Sequence, residues 1–166
     1  MTDGRGIELV PLRAERFAAY RAHLTKEYAS DKVRAGAWSP EEAQSRAEAD
    51  VDGLLPDGIE TKDHFLYAVR DASTAEEVGT LWLAVLRQGG DRVVWIYDVE
   101  IFARYQRRGY ATLALEAVEG EARKLGAERV GLQVFGHNAA ARALYERTGY
   151  KPTSIIMSKY LDRRPL

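Results

Sequence analysis

The stretch Gln106–Ala111 lies where a strand-like pattern gives way to a helical one, and its residue types suit phosphate binding. Upstream, Val93–Phe102 is rich in β-branched and aromatic residues, which favours a strand. The first N–H groups of a helix lack intrahelical partners and attract an anion, and Gly109 lets a ligand approach the backbone closely. Downstream, apolar residues recur at steps of four and three, which predicts one buried helix face formed by Ala111, Leu115, Val118, Ala122 and Leu125.

This turn differs from the two standard nucleotide-binding loops. No Gly-Lys-Ser/Thr sequence follows Gly109, which excludes a P-loop, and the earlier glycines of the dinucleotide fingerprint are missing. A glycine before a helix is a weak signal by itself, because an ordinary helix start can carry one equally well. The interpretation as a phosphate site therefore needs a second segment to support it.

A second strand-to-helix segment follows. Arg129–Phe135 is strand-like, and Asn138 is a residue type that favours the N-cap of a helix over Ala139–Arg147. We expect Gly149 to end that helix. The chain thus carries two strand-to-helix turns in succession, each with polar or glycine residues where a ligand could bind.

Together the two segments resemble the GCN5-related N-acetyltransferase superfamily. Its acetyl-CoA signature, Gln/Arg-x-x-Gly-x-Gly/Ala at a strand-to-helix turn, is matched by Gln106, Gly109 and Ala111. Its later segment, Asn-x-x-Ala-x-x-Leu-Tyr-x-x-x-Gly-Phe/Tyr, is matched at every position by Asn138, Ala141, Leu144, Tyr145, Gly149 and Tyr150. The resemblance is strong from about Val93 to Leu161, whereas the first half of the chain matches only in the order of its elements.

The resemblance implies an α/β fold with a mixed, mostly antiparallel sheet, in which a central parallel strand pair splays apart to admit acetyl-CoA. Residues 1–166 would form one N-acetyltransferase domain, with an acceptor-side half over about 1–90 and an acetyl-CoA-binding half over about 91–161. The pantetheine arm would pair with the backbone of Val99, Glu100 and Ile101. The remaining cofactor-binding residues implied by the resemblance are Gln106, Arg107, Arg108, Gly109, Tyr110, Ala111, Asn138 and Tyr145. For Asn138, capping alone is an equally good explanation.

Acetyl transfer to an amine requires a group that accepts the proton of the amine. Asp98 and Glu100 lie two apart on the predicted strand, so their side chains share a face unless a bulge intervenes. A carboxylate of ordinary pKa near 4 is a poor direct base for an ammonium, so a water relay or a pKa raised by burial is required. Some family members use a glutamate where this chain has Gln133, which cannot accept a proton. Asp98 and Glu100 are therefore the candidate bases, although either could instead pair with a nearby arginine.

The reaction also requires an acid that protonates the departing thiolate. In the family, the tyrosine that corresponds to Tyr145 usually has this role. A phenol of pKa about 10 is protonated at neutral pH and can donate to a thiolate whose conjugate acid has a pKa near 8.5. The alternative is that the ring of Tyr145 only packs in the core. His64 is a weaker candidate, because a lone histidine is more often a hydrogen-bonded surface group.

Composition excludes several other classes of protein. The 166 residues have a formal net charge of −1, which gives no reason to expect nucleic-acid binding. The chain has no cysteine, so it has neither disulfides nor a thiolate zinc site, and this composition suits a reducing cytoplasm. The polar segment Met1–Gly6 lacks a signal-peptide pattern, and no run approaches the roughly 20 apolar residues of a membrane span. We therefore expect a cytoplasmic protein with no membrane contact.

The rest of the sequence predicts an alternation of helices and strands without internal repeats. Predicted strands lie over Ile7–Leu12, His64–Arg70, Val78–Arg87 and Arg92–Phe102, with a terminal pair around Lys151–Leu161. Predicted helices lie over Arg13–Ser30 and from Ser39 to about Val51, with a loop at Lys32–Trp38 between them.

The sequence thus predicts an enzyme that moves an acetyl group from acetyl-CoA to a primary amine by direct attack, without a metal or a covalent intermediate. The acceptor, a small molecule or a peptide, is not defined, because the two N-terminal helices would form its site. Two alternatives remain: a non-catalytic acyl-CoA-binding sensor or interaction module, and an acetyltransferase for protein N-termini or lysines. The oligomeric state also stays open, with a homodimer among the alternatives.

Overall fold

The computed structural model describes residues 6–162, so that most of the polar segment Met1–Gly6 lies outside the described residues. Within them, the strands are β1 (Ile7–Pro11), β2 (His64–Asp71), β3 (Glu77–Gln88), β4 (Asp91–Ile101) and β5 (Arg129–Leu132). The α-helices are α1 (Ala14–Arg34), α2 (Pro40–Leu54), α3 (Tyr110–Lys124) and α4 (Ala139–Arg147), and short 3₁₀ turns lie at Gly58–Glu60 and Ala103–Tyr105. None of the helices in this part of the chain is long and apolar enough to cross a membrane.

The chain forms two compact units. The first contains the described residues through Ala18 together with Leu55–Gln133, and the second contains Ala19–Leu54 and the described residues from Val134 onward. The single domain over 1–166 stays a prediction.

The first unit is built on a mixed five-stranded sheet, which confirms the predicted fold class. The strands lie in the order β1-β2-β3-β4-β5, antiparallel from β1 to β4, and β5 pairs with β4 in parallel. Helix α3 makes the crossover between β4 and β5, because two parallel strands cannot be joined by a tight turn.

The parallel pairing of β4 with β5 ends before β4 does, because β5 ends at Leu132. Pairing extends from Val93 with Arg129 to Ile96 with Leu132, whereas β4 continues to Ile101. On the side that faces β5, the backbone of β4 beyond Ile96 is therefore outside the parallel ladder of the described residues. The splay of this pair that the resemblance implies stays a prediction.

A β-bulge in β4 determines which way its side chains point. Ile96 pairs with Leu83 and Asp98 pairs with the next residue of β3, Trp82, so that Tyr97 is the extra residue. Beyond the bulge the register is regular, and Glu100 pairs with Thr80. Asp98 and Glu100 therefore share one face of the sheet, because both of them follow the bulge.

The first unit has buried apolar residues in both the sheet and α3. Leu81, Leu83, Val93 and Val94 of the strands are fully buried, and so is Val118 of α3. Because Val93 and Val94 are consecutive in β4, their side chains lie on opposite faces of the sheet, so both faces carry buried apolar residues. Burial of aliphatic side chains of this size stabilises the fold by about 1.5–3 kcal/mol each. Of the five residues predicted for the apolar stripe of α3, Leu115, Val118 and Ala122 are buried, whereas Ala111 and Leu125 are partly exposed. Tyr110 and Ala114 are buried in addition.

The second unit contains a small core in which α1 packs on α2. Ala29, Ala43 and Ala47 are buried there, with Val33 and Trp38 packed against them. Helix α1 continues to Arg34, so the predicted loop at Lys32–Trp38 is wrong over its first residues. The physical reason is this tertiary contact, because Val33, which lies within the predicted loop, packs on the core as part of the helix.

Two strand predictions near the C-terminus are wrong. Strand β5 ends at Leu132 instead of Phe135, and the predicted pair around Lys151–Leu161 carries no strand among the described residues. Ile155 and Ile156 are 73% and 87% exposed. A sequence pattern reports the preference of residues for extended backbone, but a strand also needs a neighbour that bonds its N–H and C=O groups.

Candidate functional site

The turn before α3 has the backbone conformation for which glycine is suited. Gly109 is the N-cap of the helix, with a left-handed φ of +87°. A Cβ built at Gly109 would meet no heavy atom within 4 Å, so the space beside this backbone is open. Arg107 also has a positive φ, +62°, which is uncommon for a residue other than glycine. The turn therefore has a specific conformation and an accessible backbone.

The N-terminus of α3 is not capped by a side chain. The first helical bond across the turn runs from the N–H of Leu113 to the carbonyl of Gly109. The N–H groups of Tyr110, Ala111 and Thr112 precede that bond and lie at the positive end of the helix dipole. An anion is the partner that such a group of amides favours.

Two hydrogen bonds hold the ends of this turn. At its start, the Gln106 side-chain amide donates to the carbonyl of Ile101, the last residue of β4, at 2.9 Å. At its end, the Tyr110 hydroxyl donates to a carboxylate oxygen of Asp71 at 2.5 Å. The segment from Gln106 to Tyr110 is thus attached to two strands of the sheet, β4 and β2. The first of these bonds directly joins Gln106 and Ile101, two of the residues predicted to bind the cofactor.

Asp71 is a residue that the sequence analysis did not single out. It is 4% exposed and accepts hydrogen bonds from the Ser73 hydroxyl, the backbone N–H groups of Ser73 and Thr74, and the Tyr110 hydroxyl. These bonds, those of the Ser73 and Tyr110 hydroxyls above all, hold the pKa of the Asp71 carboxyl well below its usual value. The residue is therefore a buried carboxylate that stays ionised. Because Asp71 and Tyr110 are 39 positions apart in the chain, no local sequence pattern could have indicated their contact.

The carboxylates of β4 lie on the same sheet face as an aromatic cluster. Trp82, opposite Asp98 in the register, stacks on Tyr97 with ring centroids 4.6 Å apart, and His64 stacks on Tyr97 at 5.8 Å. Asp98 and Glu100 are each partly exposed. This face therefore presents two accessible carboxylates beside a wall of rings.

The histidine of this cluster has a defined proton arrangement. The Trp82 indole N–H donates to His64 Nδ1 at 3.0 Å, so a neutral His64 carries its proton on Nε2. Burial lowers the pKa of His64 below its ordinary value of 6.5. The imidazole is thus neutral at physiological pH and available as a hydrogen-bond donor through Nε2, rather than an isolated surface group.

In the second unit, Asn138 caps α4 as predicted. Its side-chain oxygen accepts from the N–H of Ala141 at 3.1 Å. Tyr145 lies two turns further along the helix and is partly exposed, with its ring 5.7 Å from that of Tyr150. Gly149, with a φ of +94°, follows the helix end. Tyr145 is therefore partly exposed and is not a fully buried core residue.

The segment that leads to Asn138 is held against α1 within this second unit. His137 Nε2 lies 3.0 Å from a carboxylate oxygen of Asp31, and the His137 ring stacks on Phe135 at 5.4 Å. The Lys32 ammonium lies 5.9 Å from the centre of the Phe135 ring. These contacts fix the position at which α4 begins.

Among residues 6–162, no group of three or more His, Asp or Glu side chains is arranged to hold a metal ion.

Comparison with known proteins identifies the class to which this fold and these turns belong. The profile of the Acetyltransferase (GNAT) family matches residues 22–150. The uncharacterized N-acetyltransferase YycN of Bacillus subtilis is 39% identical over 155 residues, which cover 93% of this chain and 99% of the relative. A second Bacillus subtilis protein, the uncharacterized N-acetyltransferase YdgE, is 31% identical over 92% of this chain and 97% of its own length.

A solved structure extends this similarity to the fold. The crystal structure of Bacillus subtilis YycN superposes with a TM-score of 0.89 over 95% of this chain and 99% of that chain. The chain therefore belongs to the acetyltransferase (GNAT) family.

Proposed function

We propose that this protein is an N-acetyltransferase that moves the acetyl group of acetyl-CoA to a primary amine. The observation that carries the proposal is the N-terminus of α3 after Gly109, which no side chain caps and where the space beside the backbone is open. In the family this turn binds the pyrophosphate of acetyl-CoA. Membership of the family and the names of the two Bacillus subtilis relatives support the same activity.

Acetyl-CoA would bind as a substrate along β4 and the following turn. The N–H and C=O groups of Val99, Glu100 and Ile101 belong to the part of β4 that extends beyond its parallel partner, so an extended pantetheine arm could pair with them as a strand does. The amides of the turn Arg107–Ala111 would receive the pyrophosphate, and the Arg108 guanidinium would add positive charge. Asn138 would contact the pantetheine arm in addition to its capping bond.

In the proposed reaction the amine nitrogen attacks the thioester carbonyl carbon, a new C–N bond forms, and the C–S bond breaks. Asp98 or Glu100 takes the amine proton, either directly or through a water molecule. Tyr145 gives its hydroxyl proton to the departing thiolate. The chain has no cysteine that could form an acyl-enzyme thioester, which favours direct transfer in one step from donor to acceptor.

A thiol-release screen tests this proposal. Pure protein is mixed with acetyl-CoA and, in separate wells, with amino acids, polyamines, aminoglycosides and short peptides, and free CoA thiol is measured against a well without amine. We expect release above background for at least one amine class, with the N-acetylated product identified by mass spectrometry. If the protein binds acetyl-CoA but no amine in the set increases the release of CoA thiol, the proposed enzymatic activity is contradicted and an acyl-CoA sensor is favoured. Release with peptides alone would identify a protein acetyltransferase.

A further inference from the structure

Tyr110 connects the proposed phosphate turn to the β2–β3 connection through its hydroxyl. It is the first residue of α3 and directly follows Gly109. Its ring is 6% exposed and meets the Tyr105 ring edge-on, with centroids 6.0 Å apart. The hydroxyl reaches Asp71 Oδ2, at the end of β2. A tyrosine at this position thus uses its polar atom inside the fold and not at the surface.

The carboxylate that receives this bond is itself held firmly. Its other oxygen, Oδ1, accepts from the N–H groups of Ser73 and Thr74 at 2.8 Å and 3.0 Å and from the Ser73 hydroxyl. The backbone of Asp71 is fixed as well, because its N–H donates to Glu76 and its carbonyl accepts from Ala75. Asp71 is therefore a rigid, charged acceptor, and hydrogen bonds to charged groups are roughly twice as strong as neutral ones.

The turn that Tyr110 terminates needs such an anchor. Arg107 and Gly109 both have positive φ, and Arg107 adopts this conformation at a cost in backbone energy. The Gln106 bond to Ile101 ties the start of the turn to the sheet through a side chain, and the Asp71–Tyr110 bond is the corresponding restraint at its end. Loss of the second bond would let the first turn of α3 move relative to β4.

We propose that Asp71 is a positioning residue for phosphate recognition: through the Tyr110 hydroxyl it fixes the direction of the first amides of α3. This inference rests on the proposed binding of acetyl-CoA, and it assigns Asp71 no contact with substrate. Because the amides bind an anion only when they point at it together, a small rotation of this turn weakens binding of the pyrophosphate while the reacting atoms are unaffected.

The test uses Tyr110→Phe, which keeps the ring and removes only the hydroxyl. We expect Kd and KM for acetyl-CoA to rise about 5- to 20-fold, while kcat at saturating acetyl-CoA stays within about 2-fold. S-acetylpantetheine, a thioester without the pyrophosphate, separates positioning from general damage. The positioning role predicts that its kcat/KM is the same in the variant and in the wild type.

Two further variants complete the experiment. Tyr67→Phe removes the hydroxyl of a partly buried tyrosine in the same strand as Asp71. It should leave KM and kcat unchanged for both acetyl-CoA and S-acetylpantetheine. Asp71→Asn replaces the charged acceptor of the Tyr110 hydroxyl by a neutral amide and should weaken acetyl-CoA binding in the same direction as Tyr110→Phe. The double variant should lose little more than Tyr110→Phe alone, because the hydroxyl through which Asp71 acts is then absent. If Asp71→Asn does not fold, Tyr110→Phe alone decides.

The outcomes distinguish this inference from the proposed function. If Tyr110→Phe melts at a lower temperature but binds acetyl-CoA as the wild type does, the Asp71–Tyr110 bond only stabilises the fold and the inference is wrong. An equal loss with acetyl-CoA and S-acetylpantetheine also contradicts it. If the wild type itself binds no acetyl-CoA, the proposed function fails and the positioning role fails with it.

Discussion

Asp98 and Glu100 project from the same face of β4, because the bulge residue Tyr97 precedes both of them and the register with β3 is regular from Asp98 onward. Each carboxylate could therefore reach the same acceptor amine or the same water molecule. Because the two carboxylates share a face, variants of each residue are needed to identify the base.

Glu100→Gln and Asp98→Asn each keep the side-chain shape and remove the ability to take a proton. We expect one of the two to lower kcat/KM by roughly 10²-fold or more, since general base catalysis contributes about 10²–10⁴-fold. The same variant should flatten the acidic limb of the pH profile, and the other should have a much smaller effect. Unchanged profiles for both would show that solvent or the amine itself disposes of the proton.

Tyr145→Phe tests the proposed acid. If the hydroxyl protonates the thiolate, kcat should fall by roughly 10²-fold or more while acetyl-CoA affinity and melting temperature stay nearly constant. Tyr150→Phe is the matched control, because it removes a phenol whose ring lies 5.7 Å from that of Tyr145. A Tyr145→Phe protein that melts earlier and turns over normally would leave Tyr145 with a packing role only.

Acid stability should report the ionised state of Asp71. Its native pKa lies below the ordinary value of 3.8, so the carboxylate contributes stability above that value, and the contribution is lost as the pH falls further. The difference in unfolding free energy between the wild type and Asp71→Asn should therefore be largest above about pH 5 and should shrink toward pH 3. Urea titrations at several pH values measure it. A difference that does not change with pH would mean that the charge of Asp71 has no part in stability.

Gly131 of β5 should be required for stability, because the Trp95 ring of β4 leaves no room for a side chain at this position. A Cβ at this position would lie 2.8 Å from the Trp95 ring, so Gly131→Ala should destabilise the protein by about 1–3 kcal/mol. Gly120 in α3 offers the matched control, since a Cβ there meets no atom within 4 Å and Gly120→Ala should stabilise by up to about 1 kcal/mol. Thermal unfolding compares the two. Equal effects would show that the ring of Trp95 moves aside freely.

Local sequence patterns predicted the features that depend on nearby residues. Gly109 before an apolar helix stripe indicated the N-terminus of α3, and Asn138 indicated that of α4, because caps act over three or four residues. The bulge at Tyr97 was only a stated condition, since it depends on how β3 pairs with β4. Sequence alone could not decide whether a bulge lies before Asp98 or between Asp98 and Glu100, and therefore whether the two side chains share a face.

Features that depend on distant residues could not be predicted in this way. Asp71 and Tyr110 are 39 positions apart, and the Trp82–His64 bond joins residues on two strands. The predicted terminal strand pair near Ile155 failed for a related reason, because extended backbone becomes a strand only where a neighbour supplies hydrogen bonds.

Calorimetric titration of acetyl-CoA into three proteins tests the central claim most directly. They are the wild type, Gly109→Val and Gly126→Val, the last at the other end of α3, where φ is also positive and the surroundings are equally open. The two substitutions carry a similar backbone cost, but only Gly109 borders the proposed phosphate site. We predict that the wild type and Gly126→Val bind acetyl-CoA alike and that Gly109→Val binds at least about 10-fold more weakly while remaining folded. A folded Gly109→Val protein that binds as the wild type does, or a wild type that does not bind, would contradict the account.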